Sequence, residues 1–408
     1  MPGDRRAGGF FAIDHGAFRC AAAGGLNSAI AHLVMARGTG PDNRETQWSV
    51  NAIERYAGIS RPNAKKAVED LLNRGVWKKT RDGKHPIYEA VPGDQIPGGP
   101  FTVTEKAVID AIRNGNKLSY ETRAVFEALK ARGIVTECEK RRANNQRYQS
   151  VGLDDAAIAA LSAPSPVWLP NALIDAAANE VPPIELIRQT RSLTALRLLI
   201  ELYAVQFLPN YGGVPREMLQ VKFERLRVGE CGSFVVWGFK RENIIGDREL
   251  ARPFFTGELV ACEDGHRWDS GWDSYFFPAL DTLETLGLIE PVGMLLEGND
   301  PDAEIIHPYG LNGGEPEERE LARIAHEAAT TLVTGAQIRR SQVTEYPHLA
   351  PVQRHIANVT LVEIYRLKYR PHTMATAAWY AQMKQNTGEW MARYRKIISD
   401  RANRQSAA

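Results

Sequence analysis

The segment from residue 49 to residue 89 constrains the fold more than any other part of the chain, because turn and capping residues separate its periodic stretches. Apolar spacing predicts a short helix over 50–57, and Gly58-Ile59-Ser60 supplies a tight turn with a new N-cap. A second helix should run over 61–74 and stop at Gly75, because only glycine enters the left-handed cap without a steric cost. These elements predict two short helices joined at a sharp angle.

A basic hairpin follows the second helix. Residues 76–79 and 87–89 have strand character, and the polar segment 80–86 between them contains Asp82-Gly83, a strong hairpin signal. The order of helix, turn, helix and basic hairpin predicts a winged helix-turn-helix domain over 26–90. In that fold the N-terminal part of the second helix is presented to base edges in the major groove of DNA.

The same segment is similar to the winged helix of GntR-type bacterial transcription regulators and to those of phage and plasmid regulatory proteins. The positions that carry the resemblance are Tyr56–Asn63, Ala67-Val68, Leu71 and Gly75-Val76. The resemblance implies that Ser60, Arg61 and Asn63 begin the recognition helix and that Lys78–Lys84 form the wing. Asn63 stands where those regulators often have Thr, and Lys65-Lys66 replaces a common Arg-Glu pair. No effector domain of that family is recognisable downstream.

Helical spacing separates the faces of the second helix. One apolar stripe, which should face the core, consists of Ala64, Ala67, Val68, Leu71 and Leu72. On the other side Asn63 can pair bidentately with adenine, and Arg61 or Lys66 can reach guanine or phosphate. The candidate DNA-binding residues are Arg61, Asn63, Lys65 and Lys66 on the helix, and Lys78, Lys79, Arg81 and Lys84 on or beside the hairpin. The alternative for the hairpin is a solvated basic turn.

A second, degenerate winged helix is predicted over 101–151. Helices are expected over 104–113 and 120–132, with a strand beginning at Ile134 and returning over 147–150. The tip of this second wing carries three further candidate DNA contacts, Lys140, Arg141 and Arg142.

The rest of the chain is predicted to be largely helical. Residues 1–25 are interpreted as an N-terminal arm, 165–298 as a third winged-helix-like domain with a β-rich insertion, and 315–408 as a helical C-terminal region. Helices are expected over 193–208, 215–225, 274–286, 317–334 and 373–401, with a shorter piece near 351–367, and a hairpin within 288–296. The expected fold class is therefore mostly α with small β-hairpin wings: tandem winged-helix domains followed by a helical region.

The two parts of the chain carry opposite charge. Residues 1–150 contain 24 Lys and Arg against 16 Asp and Glu, whereas residues 151–408 contain 26 against 33, within a total net charge of +1. A basic first part is expected to meet phosphate, and an acidic second part to contact a protein partner or another copy of the chain. No apolar run in the chain approaches the roughly 18 residues that a membrane-spanning helix needs, so no membrane helix is predicted. Four widely separated cysteines favour a reducing cytoplasm.

No catalytic pattern emerges. Cys262 and His266 lack the further ligands of a structural zinc site, and no glycine-rich phosphate loop occurs, so neither an enzyme nor a cofactor or metal is predicted. The sequence predicts specific binding of double-stranded DNA by a cytoplasmic transcriptional regulator, in the manner of a mobile-element protein. Two alternatives stay open: a plasmid- or phage-type replication initiator that binds iterated sites, and a winged-helix scaffold that binds proteins.

Overall fold

The structure is a computed structural model, and it divides the chain into two compact units. The first contains the described residues within Met1–Ala204, Pro253–Leu288 and Tyr369–Thr373, and the second those within Val205–Arg252, Ile289–Lys368 and Met374–Ala408. The residues described are 9–96, 101, 103–116, 118, 122–131, 134–141, 147–155, 158, 165–175, 180–209, 211–216, 219–241, 248–250, 276–300, 303–311, 313–333, 345–356, 358–370 and 374–406.

The first unit combines helices with short two- and three-stranded sheets. Its elements are β1 (Phe10–Asp14), α1 (His15–Ala22), α2 (Leu26–Arg37), β2 (Glu45–Thr46), α3 (Val50–Ala57), α4 (Arg61–Asn73), β3 (Trp77–Arg81), β4 (Ile87–Ala90), α5 (Val103–Arg113), α6 (Arg123–Ala131), β5 (Val135–Arg141), β6 (Arg147–Leu153), β7 (Pro166–Pro170), α7 (Pro183–Thr190), α8 (Leu193–Val205, which ends at the boundary) and α9 (Phe277–Thr285). Strands β2, β4 and β3 form one sheet in that order, β5 pairs with β6, and β1 pairs with β7. The helices and strands predicted over 50–90, and the two helices and the hairpin predicted over 101–151, are confirmed.

Helix α2 is the centre of the first unit. Every residue from Ser28 to Ala36 is buried, and the helix contacts α1, α3, α4, α7 and β1. Alanines at 29, 31 and 36 have small side chains, so neighbouring elements can pack closely on all sides of the helix.

Residues 9–25, interpreted from sequence as part of an arm, instead form β1 and α1. The Asp14 side chain joins three segments: Oδ1 accepts hydrogen bonds from Ala17 N (2.8 Å) and Gly93 N (3.0 Å), and Oδ2 accepts one from Ser165 N (3.3 Å). One carboxylate therefore caps α1 and satisfies the backbone where the chain leaves β4 and where it approaches β7.

The second unit is built on an antiparallel sheet. Its elements are β8 (Leu219–Cys231), β9 (Phe234–Arg241), β10 (Arg248–Leu250), β11 (Ile289–Leu296), β12 (Ile305–Tyr309), α10 (Pro316–Leu332), β13 (His348–Gln353), β14 (Thr360–Leu367) and α11 (Met374–Ser406). The strand order is β12-β11-β14-β8-β9-β13. Strand β10 pairs with the first residues of β8, Leu219–Val221, before the part of β8 that pairs with β9, which gives seven strands among the described residues. Helices α10 and α11, which correspond to the helices predicted over 317–334 and 373–401, pack together beside this sheet.

The expected fold class, mostly α with small β-hairpin wings, is wrong because of this sheet. The helix predicted over 215–225 is largely the strand β8, where buried Leu219, Val221 and Phe223 alternate with partly exposed residues at period two. The piece predicted near 351–367 lies in β13 and β14. Strand β14 is buried on both faces, and its polar residues Thr360, Glu363 and Arg366 recur at every third position, so its sequence does not show the strand period of two.

The hairpin predicted within 288–296, as part of a third winged-helix-like domain over 165–298, is wrong as well. Residues 289–296 form the single strand β11, which pairs with β12 and β14 within the large sheet. Helix α9 and its cap are present as predicted, with Gly287 at φ +65°.

A buried ion pair links the sheet of the second unit to α10. Arg366 on β14 donates two hydrogen bonds to Glu318, with Nη1–Oε2 at 2.9 Å and Nη2–Oε1 at 3.0 Å. Glu318 Oε2 also accepts the Glu315 N–H at 2.8 Å, which closes a capping box at the start of α10. The pair fixes where α10 begins against the strand.

Replacing Asp14 with Ala should destabilise the first unit by about 2–4 kcal/mol, because three backbone donors lose a charged acceptor. Asp42→Ala is the matched control, since Asp42 accepts a local hydrogen bond from Arg44 N in an exposed loop. Chemical denaturation of both variants measures the difference. Equal midpoints would show that Asp14 does not join the segments.

Arg366→Met should cost the second unit about 3–5 kcal/mol, because Glu318 is left buried without its partner. Adding Glu318→Gln should restore most of the loss, since the amide keeps an acceptor for Glu315 N–H and carries no charge. Arg323→Met, which removes an exposed cation beside Glu320 and Glu327, should leave the denaturation midpoint unchanged. A double variant as unstable as the single one contradicts this account.

Candidate nucleic-acid interface

The turn before α4 has the predicted geometry. Gly58 ends α3 in the left-handed region at φ +60°, and the Ser60 carbonyl accepts the first helical hydrogen bond of α4 from Ala64 N at 2.8 Å. Ser60 occupies the N-cap position, but its side chain makes no capping hydrogen bond. At the other end, Gly75 adopts φ +73° and closes α4 ahead of β3.

Helix α4 has one buried face and one exposed face. Ala64, Ala67, Val68 and Leu71 are at most 5% exposed, so the predicted stripe is confirmed for these four, and Leu72 is partly exposed. All four helix residues predicted to contact DNA are exposed: Arg61, Asn63, Lys65 and Lys66. The buried face therefore orients the polar face toward solvent.

Arg61 is held by the preceding helix. Its Nη1 donates to Asn51 Oδ1 at 2.8 Å and lies 3.4 Å from Glu54 Oε2, both on α3. The guanidinium thus braces the helix-turn-helix through Nη1.

The cations of the β3–β4 hairpin differ in whether they already interact with other groups in the described part of the chain. Lys79 forms an ion pair with Asp82, whose hydrogen bond raises the pKa of the lysine, and Arg81 Nη2 donates to His85 O at 3.3 Å. Lys78 and Lys84 are also exposed, and within the part of the chain that the structure describes neither forms an ion pair. These two are the hairpin cations most available to a phosphate.

An open cleft of about 690 Å³ lies beside the N-terminal part of α4. It is lined by the start of α2, by Asn63 and Lys66 of α4, and by Arg188 and Arg191 at the end of α7. The two arginines were missed by the sequence analysis, because nothing local signals that α7 packs on α3. Arg188 Nε donates to the Ala57 carbonyl at 2.6 Å, which caps α3 at the turn.

The acidic residues near α4 are not all free to oppose an anion. Asp70 accepts hydrogen bonds from Ser28 Oγ (2.8 Å) and Arg74 Nε (2.9 Å), which ties α4 to α2 and neutralises the carboxylate. Glu69, one residue before Asp70, is exposed. The basic end of α4 is therefore its first two turns.

The first hairpin strand is anchored by a buried pair of rings. Trp77 Nε1 donates to His32 Nδ1 of α2 at 3.0 Å, and both side chains are at most 2% exposed. Burial lowers the pKa of His32 to about 4, so the imidazole is neutral at pH 7 and can accept this hydrogen bond.

The second hairpin is described less fully. Lys140 and Arg141 belong to β5, in register with Tyr148 and Arg147 of β6, and Arg142 lies outside the described residues. Helices α5 and α6 and the start of β5 share a small core that includes Val108, Leu129 and Val135.

Comparison with known proteins gives no assignment: no family model, curated protein or solved structure matches the chain. In the described part, no group of three or more His, Cys, Asp or Glu side chains is placed to hold a metal ion. The helices described include none long and apolar enough to span a bilayer.

His32 should make the stability of the first unit depend on pH. Its folded pKa of about 4 lies below the unfolded value of 6.5, so the unfolded state binds more protons between these values. Stability is therefore full above pH 6.5 and should fall by about 3 kcal/mol as the pH drops to 4. Urea denaturation at several pH values measures this loss.

The matched variants are His32→Gln, which keeps an acceptor for Trp77, and His85→Gln in the exposed hairpin. Only His32→Gln should flatten the pH dependence. A slope that survives in His32→Gln would assign it to another group.

Proposed function

We propose that the chain binds double-stranded DNA sequence-specifically through α4 and the β3–β4 hairpin, and acts as a transcriptional regulator. The observation that supports this most is the division of α4: its apolar face is buried, whereas Asn63, Lys65 and Lys66 are all exposed. The helix, turn, helix and hairpin around it have the order of a winged helix-turn-helix.

Each group on the interface has a role in the proposal. Asn63 pairs with an adenine edge, and Lys66 reaches guanine or the backbone. Lys78 and Lys84 neutralise phosphates along the hairpin, while Arg191 extends the basic surface beside α4. The N-terminus of α4 favours an anion, because it has no acidic residue in its first turn and no side-chain cap.

The acidic part of the chain, residues 151–408, mediates self-association or recruits a protein partner. The function requires the compartment that holds the genome, and four widely separated cysteines fit a reducing cytoplasm.

A replication initiator is the second candidate, and one observation favours it. Helices α5 and α6 with the β5–β6 hairpin follow the first set of elements directly, so one chain carries two helix–hairpin sets in tandem. Such a pair suits iterated DNA sites.

Selection of bound duplexes from a random pool, at two salt concentrations, tests the proposal. One motif that survives the higher salt supports specific readout, and its position in the genome separates a promoter site from an iterated origin. Failure to enrich any motif, or enrichment that vanishes with salt, contradicts the proposal and favours the protein-binding scaffold.

Two kinds of substitution should separate base readout from phosphate contact. Asn63→Ala should reduce discrimination between bases and leave the salt dependence nearly unchanged. Lys78→Ala with Lys84→Ala should weaken binding to every sequence and flatten the log–log salt slope by about 2, because each phosphate contact contributes about 0.9. Fluorescence anisotropy with the selected duplex and a scrambled one measures both effects.

Arg395→Ala with Lys396→Ala is the charge-matched control, since it removes two exposed cations from α11. It should leave the slope unchanged. If the control flattens the slope as much as the hairpin variant does, net charge rather than the hairpin determines binding.

A further inference from the structure

The cleft of about 690 Å³ beside α4 lies entirely within the first unit and is recessed. Three of the residues that line it, Ser28, Ile59 and Ala67, are at most 3% exposed, whereas Lys66 and Arg191 are exposed. The volume falls in the range of small-ligand sites, about 300–1,000 Å³. The cleft can therefore enclose a ligand group against a buried floor, beneath basic side chains.

Two cations of the lining are available to a ligand. Lys66 and Arg191 form no ion pair and no side-chain hydrogen bond within the described part of the chain. Arg188 is engaged, because its Nε donates to the Ala57 carbonyl at 2.6 Å and its Nη2 lies 3.7 Å from Glu185 Oε1. Two uncommitted cations at one recessed site match an anionic group with about two charges.

The other polar groups of the cleft favour an anion too. Asp70 is the one carboxylate in the described lining, and its Oδ2 already accepts hydrogen bonds from Ser28 Oγ (2.8 Å) and Arg74 Nε (2.9 Å). Three neutral side chains that can donate hydrogen bonds complete the rim: Asn27, Ser60 and Asn63. The lining is thus polar and net positive, which suits an oxyanion rather than an apolar ligand.

Arg191 occupies a backbone position that favours glycine. It ends α7 in the left-handed region, at φ +60°, where a side chain costs free energy that glycine avoids. The backbone therefore does not explain an arginine here. Arg188, three residues earlier, fixes this end of α7 against the turn before α4, which holds Arg191 at the cleft.

We propose that the cleft binds a phosphate group between Lys66 and Arg191. A phosphomonoester carries about −1.5 to −2 charges at pH 7 and three acceptor oxygens, enough for a guanidinium, an ammonium and a neutral donor. Two sources offer this chemistry: a backbone phosphate of the duplex at α4, or a free phosphomonoester. The first source rests on the proposed function, whereas the second does not.

Calorimetric titration of the full chain with glucose 6-phosphate and with glucose tests the free source, since the two probes share a body and differ in the phosphate. Glucose 6-phosphate should bind about tenfold or more tightly than glucose, and Arg191→Gly should abolish that preference. Arg191→Gly keeps the fold, because glycine suits the left-handed backbone, and Arg191→Lys should restore part of the binding.

Fluorescence anisotropy with a duplex tests the backbone source. Arg191→Gly should weaken the selected and the scrambled duplex alike, by about threefold or more, and flatten the log–log salt slope by about 0.9, the contribution of one phosphate. Lys396→Gln is the matched control, since it removes one exposed cation from α11 and should change neither assay.

The location is tested by Asn27→Trp, which fills the cleft from an exposed position without removing a charge. It should reproduce the loss seen in Arg191→Gly. Parental binding in Asn27→Trp, or an equal loss in Lys396→Gln, contradicts the assignment to the cleft.

The two arms identify the source of the phosphate. A preference for glucose 6-phosphate that Arg191→Gly abolishes supports the site with a free ligand, and a flattened duplex slope supports it with the DNA backbone. Neither effect overturns the proposal of a phosphate site. If the parent chain binds no duplex, the proposed function fails, and the sugar phosphate titration alone then supports or overturns the site.

The absence of both effects, with no preference for glucose 6-phosphate and a parental salt slope in Arg191→Gly, overturns the proposal.

Discussion

The burial of α2 on all sides is the constraint on which the first unit depends. A helix without a solvent face must be enclosed by several neighbours, and here they are α1, β1, α3, α4 and α7. Because α3 and α4 pack on this helix from one side, the exposed face of α4 is set by the core behind it. The same helix supplies His32, the acceptor for Trp77, so the hairpin is anchored to it as well.

Local signals predicted α4 and its hairpin because a capping or turn residue marks the boundaries of these elements in the sequence. Gly58 and Gly75 end helices in the left-handed region, and Asp82-Gly83 lies in the connection between β3 and β4. The large sheet could not be predicted in this way. The β14 strand is buried on both faces and its polar residues do not alternate with apolar ones, and pairing of β11 with β14 joins residues about 70 positions apart. The Arg188 contact is equally remote in sequence, so the end of α7 was absent from the predicted interface.

Not every basic residue on the candidate interface is available to a new anionic partner. Arg61, Lys79 and Arg81 already have partners within the protein, whereas Lys65, Lys66, Lys78 and Lys84 are exposed without an ion pair among the described residues. Releasing a paired cation costs part of what a new phosphate contact contributes, so the unpaired lysines dominate any attraction to a polyanion. Sequence reveals which residues are basic, but only the fold reveals which of them are already engaged.

The hydrogen bond from Arg188 to the Ala57 carbonyl joins residues 131 positions apart, across the turn that sets the angle between α3 and α4. During synthesis the helices and hairpin over 26–90 therefore emerge long before the residue that closes their turn. A ribosome-bound or proteolysed chain that ends before α7 retains α4 without this brace. Completion of the chain is thus coupled to the final geometry of the turn before α4, and a prematurely ended product differs from the finished protein beside the exposed face of α4.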